Sequence, residues 1–256
     1  MSQYSITDNF SQHFKICFAD TKALRQEAFK IRHSVYCEEM GWLPTNDSQM
    51  ETDEFDDCAY HCLLQHKRSG VFAGCIRLVI PPTDNPNFKL PFEKNSAHCL
   101  RKDVLNTDEL PRGSFGEVSR LAVLSSFRQR KEEHKVPFVF SNQNPETVYS
   151  EQEKRSFPNI AMGLYLAAAA FADICNHSGV LVMMEPSLMA RFKQFGFPFI
   201  QVGDETQLYG TRALYYLQSE YYISDLAPQL KTLYHAIHHD LCNQMCLIPF
   251  TNAADR

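Results

Sequence analysis

Three observations on the sequence predict an α/β fold. The chain opens with a strand-like segment followed by a helix-like one, and two further strand-like segments then flank a short turn. The second half alternates helix, strand, helix and strand. Because helices and strands that alternate along a chain pack as layers around one sheet, we predict a single domain over residues 1–256. The length of 256 residues and the hydrophobic content of 44% suffice for a substantial core.

The first two elements are predicted from local patterning. HFKICFA, residues 13–19, is typical of a short strand. Residues 21–39 place four apolar side chains on one helix face, namely Leu24, Ala28, Ile31 and Val35. The sequence therefore predicts a strand and then one helix.

The middle of the chain predicts an antiparallel strand pair. YHCLLQH (60–66) and VFAGCIRLVI (71–80) have strand-like composition, and the KRSG segment between them supplies Gly70 for a tight turn. Four prolines, at 81, 82, 86 and 91, then interrupt regular structure. SFGEVSRLAVL (114–124) predicts another strand, and the polar stretch 125–158 predicts an insertion.

The second half begins with a nearly all-apolar segment, residues 160–176, which predicts a buried helix closed by Gly179. A strand at 180–185, a short helix near 187–195 and a strand at 197–202 are expected next. A terminal amphipathic helix is predicted over about 225–246, with Pro228 in its first turn. Its apolar face is made by Leu226, Leu230, Leu233, Ile237 and Leu241.

Composition excludes several classes of protein. A net charge of -5 argues against nucleic-acid binding, which requires a surplus of basic residues on one face. The opening MSQYSITDNF lacks the basic start and apolar run of a signal peptide, and the apolar stretch 160–172 is too short for a stable membrane span. Nine cysteines scattered singly indicate reduced thiols. We therefore predict a cytoplasmic protein.

A set of charged residues is the main candidate for a site. The first predicted helix places Arg32 and Tyr36 on one face, Trp42 comes next, and residues 51–57 contain five carboxylates among seven positions. Arg77 and Arg120 are each flanked by apolar residues. Since a partly buried guanidinium requires an anionic partner, we expect ion pairs with the available carboxylates. Those carboxylates are Asp53, Asp56 and Glu117.

The order and spacing of these residues resemble the pattern of the autoinducer synthases, which make acyl-homoserine lactones and belong to the GNAT superfamily. The pattern runs Arg-x3-Tyr, Trp six residues later, Asp eleven beyond, Asp after three more, a strand Arg, and Glu-x2-Arg. It is carried here by Arg32, Tyr36, Trp42, Asp53, Asp56, Arg77, Glu117 and Arg120. The chain also resembles the N-acyl amino acid synthases, including the group associated with PEP-CTERM/exosortase protein sorting.

This resemblance implies a three-layer α/β/α architecture with a central mixed, mostly antiparallel sheet. It also implies an acyltransferase in which an acyl group, carried as a thioester on acyl carrier protein, is attacked by the amine of an amino acid or a similar small acceptor. Acyl-CoA is the less favoured donor, and no bound cofactor or metal is expected. The residues that match the pattern are then the predicted catalytic and substrate-binding residues.

Physical chemistry suggests a role for each of these groups. Glu117 is the candidate base that deprotonates the acceptor. Asp53 and Asp56 are candidates for holding its ammonium, while the three arginines either bind its carboxylate or hold the acids in place. Glu117 and Arg120 lie three residues apart and point to opposite faces of a regular strand. The resemblance implies a distorted strand there, with backbone N–H groups that receive the thioester oxygen.

The donor prediction rests on the segment after this strand. No glycine occurs between Gly116 and Gly163, so the glycine-rich turn that cradles a pyrophosphate in many GNAT enzymes is missing. This favours a carrier protein over coenzyme A. Carrier proteins are typically acidic, so a basic run becomes the predicted docking site. That run consists of Arg128, Arg130, Lys131 and Lys135.

The segment MARFKQFGFPF, residues 189–199, bears on how the thiol leaves after acyl transfer. Phe192 stands where many GNAT enzymes have a tyrosine acid, which predicts that no phenol protonates the leaving thiol. A thiol of pKa about 8.5 leaves readily without one. A predicted acyl channel would be lined by Met183, Met184, Phe192, Phe195, Phe199 and the alanines of 167–170.

Other interpretations remain open from the sequence. An acyl-homoserine-lactone synthase that uses S-adenosylmethionine is the alternative within the same class. A non-catalytic acyl-binding or regulatory protein on the same fold is the alternative from a different class. A zinc site among the terminal His235, His238, His239, Cys242 and Cys246 is not favoured, because no second ligand pair matches it.

Overall fold

A central sheet organises the chain in the computed structural model, which describes residues 6–82, 85, 87–128 and 159–246. Its strands are β1 (Phe14–Phe18), β2 (Ala59–His66), β3 (Phe72–Val79), β4 (Phe115–Val123), β5 (Gly179–Met184), β6 (Ile200–Gln201), β7 (Thr206–Gln207) and β8 (Thr211–Gln218). They lie in the order β1-β2-β3-β4-β5-β8-β6, with β7 paired to β8. Only the β4–β5 pairing among these is parallel, so the predicted mixed, mostly antiparallel sheet is confirmed.

Helices cover both faces of this sheet. Within the described residues they are α1 (Ile6–His13), α2 (Lys22–Arg32), α3 (Pro91–Asn95), α4 (Asn159–Ile174), α5 (Pro186–Gln194), α6 (Tyr221–Ser224) and α7 (Pro228–Cys246). Single 3-10 turns occur at Asp56–Cys58, Ala97–Cys99, Thr107–Glu109 and Ser125–Phe127.

Strand β2 shows how the layers are built. Successive side chains of a strand point to opposite faces, and Leu63 packs with Ala28 and Ile31 of α2, whereas Leu64 joins the cluster formed by α4 and α7. All these residues are buried. The sheet therefore lies between two helical layers, which confirms the three-layer α/β/α architecture.

The helix predicted over 21–39 changes geometry midway. Thr21 caps the N-terminus by accepting a hydrogen bond from the backbone N–H of Leu24, and regular α-helix continues to Arg32. His33–Glu39 is a π-helix. After its wider turn, the N–H groups of Trp42 and Leu43 both donate to the carbonyl of Tyr36. Such π-helical turns are frequent at functional sites.

Several boundaries differ from the sequence prediction. The segment after α4 turns at Asn176, whose φ of +56° lies in the left-handed region, while Gly179 is the first residue of β5. The strand predicted at 197–202 is confined to Ile200–Gln201. Pro91 begins α3 rather than ending an element, because proline is tolerated in a first helical turn. Of the predicted insertion, residues 129–158 lie outside the described range.

Substitution of two glycines by alanine distinguishes the cost of steric overlap from the cost of a left-handed backbone conformation. Gly196, which comes shortly after α5, has a φ of +87°, and an added Cβ would lie 2.0 Å from the carbonyl oxygen of Asp225. Gly70 has a similar φ of +73° with open space around it. We expect Gly70→Ala to lower the free energy of unfolding by about 1 kcal/mol, and Gly196→Ala by roughly 3 kcal/mol or more, in urea denaturation. Equal losses would contradict the predicted overlap.

Candidate active site

Strand β4 is distorted at the position that the spacing of its charged residues requires. Ser119 pairs with Arg77 and Ala122 pairs with Cys75, so three steps on β4 match two on β3. The extra residue makes a β-bulge, and Arg120 within it has a φ of +55°. A non-glycine residue in this region is uncommon and often marks a functional site. The expected strand distortion is therefore present.

The bulge opens the sheet between β4 and β5. The parallel pairing of these strands runs from Phe115–Gly179 to Val118–Val182 and stops there. Beyond this point the two strands border a cavity of about 500 Å³. The cavity is lined by Tyr36, Trp42, Leu43, Pro91, Phe92, Asn95, Ser96, residues 117–121, Tyr165, residues 182–184, Leu208, Tyr209 and Arg212.

Glu117 is the buried acid of this cavity. Its side chain accepts a hydrogen bond from the backbone N–H of Phe92 at 2.8 Å, and the residue is 3% exposed. Burial raises the pKa of Glu117 to about 8, against weaker lowering by that hydrogen bond and by Arg77 and Arg120. Glu117 makes no ion pair with either arginine among the described residues, so it is not the guanidinium partner that the sequence suggested.

The arginines are paired with other carboxylates. Arg32 binds Asp56 through two parallel hydrogen bonds, Nη1–Oδ1 at 2.6 Å and Nη2–Oδ2 at 3.1 Å, and its Nε contacts Glu51. Arg77 also reaches Asp56, with Nη1 2.6 Å from Oδ1. Asp56 in turn accepts a hydrogen bond from the backbone N–H of Asp53. Two guanidinium groups thus share one buried carboxylate.

The network continues toward the cavity through Asp53 and Glu51. Arg77 donates to both oxygens of Asp53, and its Nε donates to the hydroxyl of Ser119 at 3.2 Å. Arg120 Nη2 lies 2.8 Å from Asp53 Oδ2 and 3.0 Å from Glu51 Oε1. Three cations face three carboxylates here, so the formal charge is balanced. We call this set the ion network, and its members are Arg32, Glu51, Asp53, Asp56, Arg77 and Arg120.

Charge pairing controls ionisation within the ion network. Burial alone would raise the pKa of Asp56, but the guanidinium groups of Arg32 and Arg77 outweigh it and hold the pKa well below the usual range. The pKa of Glu51 is lowered for the same reason by Arg32 and Arg120. The pKa of Asp53 is lowered by Arg77. These acids therefore stay ionised at the pH at which Glu117 titrates.

Only one member of the ion network lines the cavity. Arg120 does so, with its side chain 28% exposed, whereas Arg32, Arg77 and Asp56 are buried behind the cavity wall. Asp53 is partly exposed and does not line the cavity. The geometry thus brings the charged residues of the ordered pattern together, but it divides them into one group at the cavity and one behind it.

Aromatic side chains form another wall. The rings of Tyr36 and Trp42 stack at 5.9 Å between centroids, and Trp42 stacks on Tyr209 at 5.4 Å. The guanidinium of Arg212 lies 5.4 Å from the centroid of Trp42. Tyr36 donates a hydrogen bond to the carbonyl of Leu121 at 2.7 Å, which ties the wall to the β4 bulge. Tyr36 and Trp42 thus line the cavity.

The opposite end of the cavity is apolar and contains a phenol. Met183, Met184 and Tyr165 line it, while Phe192 packs edge-on against Tyr165 at 4.4 Å and borders a smaller adjoining space. Burial raises the pKa of Tyr165, so its hydroxyl keeps its proton. Phe192 itself carries no phenol, as the sequence shows, but α4 places the phenol of Tyr165 beside it on the cavity wall.

Arg128 is the member of the predicted docking run that lies within the described residues. It is buried and contacts the carboxylate of Glu39, which differs from the exposed position that docking requires. Arg130, Lys131 and Lys135 lie outside the described residues. No helix in the described part of the chain is long and apolar enough to cross a membrane.

The histidines and cysteines of α7 lie near the surface of the molecule. His238 Nε2 lies 3.2 Å from Asp173, and its Nδ1 lies 3.6 Å from the sulfur of Cys242. In the described ranges, no group of three or more His, Cys, Asp or Glu residues has a geometry that could hold a metal ion.

Four of the residues that sequence reasoning missed in the cavity and its support are instructive. Glu51 belongs to the acidic run 51–57, and five carboxylates close together gave no signal that it pairs with Arg32. Tyr165 lies inside an apolar helix, where a tyrosine resembles ordinary core. Arg212 is followed by the apolar run ALYYL, a context like that of Arg77, and this signal could have identified it. Tyr209 carried no signal.

The contribution of the ion network to stability can be tested by substitution of Asp56. Asp56→Asn removes a carboxylate shared by two buried arginines, and we expect it to lower the free energy of unfolding by about 3–5 kcal/mol. Glu54→Gln is the matched control, since Glu54 pairs with Lys94 at the surface and both side chains are at least half exposed. Its loss should stay below about 1 kcal/mol. Similar losses in chemical denaturation would contradict the role given to Asp56.

Part of the sequence, which includes one side of the cavity, matches a family model. Residues 31–135 match the model described as an acetyltransferase (GNAT) domain, and this range contains all eight residues of the ordered pattern. None of the curated proteins compared with the chain matches it.

Solved structures share the fold at low sequence identity. The AHL synthase LasI is 17% identical, with a TM-score of 0.56 over 86% of this chain and 95% of its own. FeeM, an N-acyl amino acid synthase from uncultured soil microbes, is 15% identical, with a TM-score of 0.54 over 83% and 94%. BjaI, described as a CoA-dependent acyl-homoserine lactone synthase, is 17% identical, with a TM-score of 0.53 over 89% of both chains. The chain therefore has a GNAT fold, and its match with the acetyltransferase domain supports the prediction that it is an acyltransferase enzyme.

Proposed function

We propose that the protein is an N-acyltransferase that moves a fatty acyl group from the thioester of an acyl carrier protein to the amine of an amino acid. The product is an N-acyl amino acid. The observation that carries this proposal is Glu117, a buried carboxyl group with a pKa of about 8 on the wall of the cavity where β4 leaves β5. A carboxyl group with a raised pKa is a stronger base than an ordinary carboxylate and is therefore better suited to take a proton from an ammonium group.

The reaction begins with removal of a proton from the acceptor. Glu117 accepts one proton from the ammonium group and leaves a neutral amine with a free lone pair. Its carboxylate is oriented by the Phe92 N–H, which binds Oε2 and leaves the other oxygen for the acceptor. The raised pKa of Glu117 makes this transfer less unfavourable than it is for an ordinary carboxylate.

Acyl transfer then exchanges one bond for another. The amine nitrogen attacks the thioester carbonyl, a C–N bond forms, and the C–S bond breaks with departure of the thiolate. The second proton of the nitrogen ends on the thiol, whose pKa of about 8.5 makes it a good leaving group. The Tyr165 phenol lies at the cavity wall and keeps its proton, so it is suited to relay that proton to sulfur.

The bulge of β4 supplies a place for the thioester oxygen. The pairing with β5 ends at Val118, and the segment from Ser119 to Leu121 lines the cavity. Backbone N–H groups that are fixed before the reaction stabilise a developing oxyanion at little reorganisation cost. This support is strongest if the distorted backbone is rigid, and the ion network fixes it through Arg120 and Ser119.

The acyl chain is assigned to the apolar end of the cavity. Val118, Val182, Met183 and Met184 line that end, and methionine side chains adapt to flexible ligands.

The ion network is assigned a supporting role. Its acids are saturated by arginines, which supports a scaffold role for Asp53 and Asp56 rather than direct contact with an ammonium. Arg120 lines the cavity and is the member placed to touch substrate.

The choice of an acyl carrier protein as donor rests on the sequence. The segment after β4 lacks the glycine-rich turn that favours a nucleotide pyrophosphate, and basic residues come after it. The fold itself is compatible with either donor, since BjaI is described as CoA-dependent. Membership of the exosortase-associated group of N-acyl amino acid synthases stays a prediction of the sequence.

The product identifies the function directly. Expression in bacteria should yield new N-acyl amino acids in lipid extracts analysed by mass spectrometry. Glu117→Gln keeps the size of the side chain and an acceptor for the Phe92 N–H but removes the base, and we expect it to abolish the product. Glu109→Gln, at an exposed carboxylate that does not line the cavity, should leave the product unchanged.

The class of product separates the alternatives. An acyl-homoserine lactone in the extracts would replace the proposal by its lactone-synthase alternative. Lipids that match those of cells without the protein would count against an enzyme altogether and favour a non-catalytic acyl-binding protein.

The pH dependence tests the base. With purified protein and acyl carrier protein or CoA thioesters, kcat/KM should rise with pH and level off above an apparent pKa of about 8, because Glu117 must lose its proton to act. The residual activity of Glu117→Gln should lack this step. A profile that falls over the same range, or is shared by both proteins, would show that another group is the base.

A further inference from the structure

Arg212 is a charged residue of the cavity wall to which the proposed reaction assigns no role. It lies at the start of β8, its side chain is 11% exposed, and its guanidinium is held over Trp42. Nε donates to the carbonyl of Leu208 at 2.7 Å, and Nη2 lies 3.4 Å from the carbonyl of Tyr209. These contacts fix the orientation of the group, while its Nη1 makes no hydrogen bond within the described residues.

The other buried arginines in the described part of the chain differ in this respect. Arg32 and Arg77 form hydrogen-bonded ion pairs with Asp56, and Arg128 is in direct contact with Glu39. The carboxylate beside Arg212 is Glu185, whose Oε1 is 3.6 Å from Nη2, longer than a hydrogen bond. A buried charge is costly unless it is paired. Since Arg212 lines the cavity, a ligand there can supply the hydrogen-bonded carboxylate that it lacks among the described residues.

We propose that Arg212 binds the carboxylate of the acceptor and thereby restricts the enzyme to amines that carry a carboxylate. This inference rests on the proposed function and names its substrate class. A guanidinium presents parallel N–H donors that match the two oxygens of a carboxylate. With Glu117 on β4 as base and Arg212 on β8 as anchor, the ammonium and the carboxylate of one amino acid contact different strands of the cavity.

A phosphate of the donor is the competing anion for Arg212. The phosphate of a carrier arm is attached to a folded protein and remains near the protein surface, whereas the Arg212 side chain is almost fully enclosed. A small acceptor fits that enclosure better. The aromatic wall of Tyr36, Trp42 and Tyr209 beside it encloses the acceptor further.

Matched acceptor pairs test the proposal by kinetics. L-alanine, L-leucine and L-phenylalanine are compared with ethylamine, 3-methylbutylamine and 2-phenylethylamine, which lack only the carboxylate. For the wild type, kcat/KM should favour the amino acid in the pairs that react, and Arg212→Met should reduce that preference by roughly 10- to 100-fold, mainly through the acceptor KM. Arg212→Lys should retain part of it, because the charge remains. Arg101→Met, at an exposed position, is the control.

The preference is a ratio measured within one protein sample. It is therefore insensitive to partial loss of folded protein if Arg212→Met weakens the turn that it holds. A KM for the acyl donor that rises in Arg212→Met, with an unchanged acceptor preference, would assign the residue to the donor phosphate and overturn the proposal. Equal use of amino acids and amines by the wild type would also overturn it, while leaving an N-acyltransferase intact.

Binding can be measured without catalysis because Trp42 is the single tryptophan of the chain and lies against Arg212. Titration with the six compounds should give a saturable change of Trp42 fluorescence for amino acids, absent for the amines and in Arg212→Met. If this holds but no acyl transfer is detected, the carboxylate site stands and the proposed reaction falls. No carboxylate-dependent response in any pair would overturn the site.

Discussion

The pairing of three arginines with three carboxylates is the interaction on which the rest of the site depends. It joins the end of α2, the acidic loop 51–57, β3 and the bulge of β4, four segments that are far apart in sequence. Each charge would be costly to bury alone, so the four segments are stable only in their joint arrangement. Arg120 is held in a left-handed backbone conformation by this arrangement, and the opening between β4 and β5 depends on it.

The carboxyl groups in and behind the cavity have pKa values shifted in opposite directions. The acids of the ion network are matched by guanidinium groups, and their pKa values are lowered, so they remain ionised. Within the described ranges, the close partner of Glu117 is a backbone N–H alone, and the side chain is almost fully enclosed, so its pKa is raised. Glu117 and Arg120 are separated by two residues on β4. Because the strand is bulged, the Glu117 side chain lies where it has no ion pair among the described residues, whereas Arg120 pairs with Glu51 and Asp53. The β-bulge thus separates Glu117, whose pKa is raised, from the permanently charged ion network.

The sequence predicted the elements whose signals are local. Leu63 and Leu64 alternate as a strand requires, and eight charged and aromatic residues keep an ordered spacing that no single position could supply. The features that it could not predict depend on tertiary contacts. Glu51 is indistinguishable from its four acidic neighbours until Arg32 and Arg120 are placed beside it, and Tyr165 looks like core until β4 and β5 separate in front of it. The π-helix at 33–39 keeps the apolar pattern of an α-helix, so periodicity alone does not reveal it.

The elevated pKa of Glu117 also has a thermodynamic consequence for the fold. In the unfolded chain this carboxyl group titrates near its ordinary value of 4.5, so the native state binds the proton more tightly than the unfolded state does. The contribution of Glu117 to native stability is therefore greatest in acid, declines as pH rises from about 4.5 to about 8, and is then constant. The ionised form that the proposed proton abstraction requires is the form that the native state stabilises least. The remaining interactions of the fold must offset that cost wherever the enzyme works.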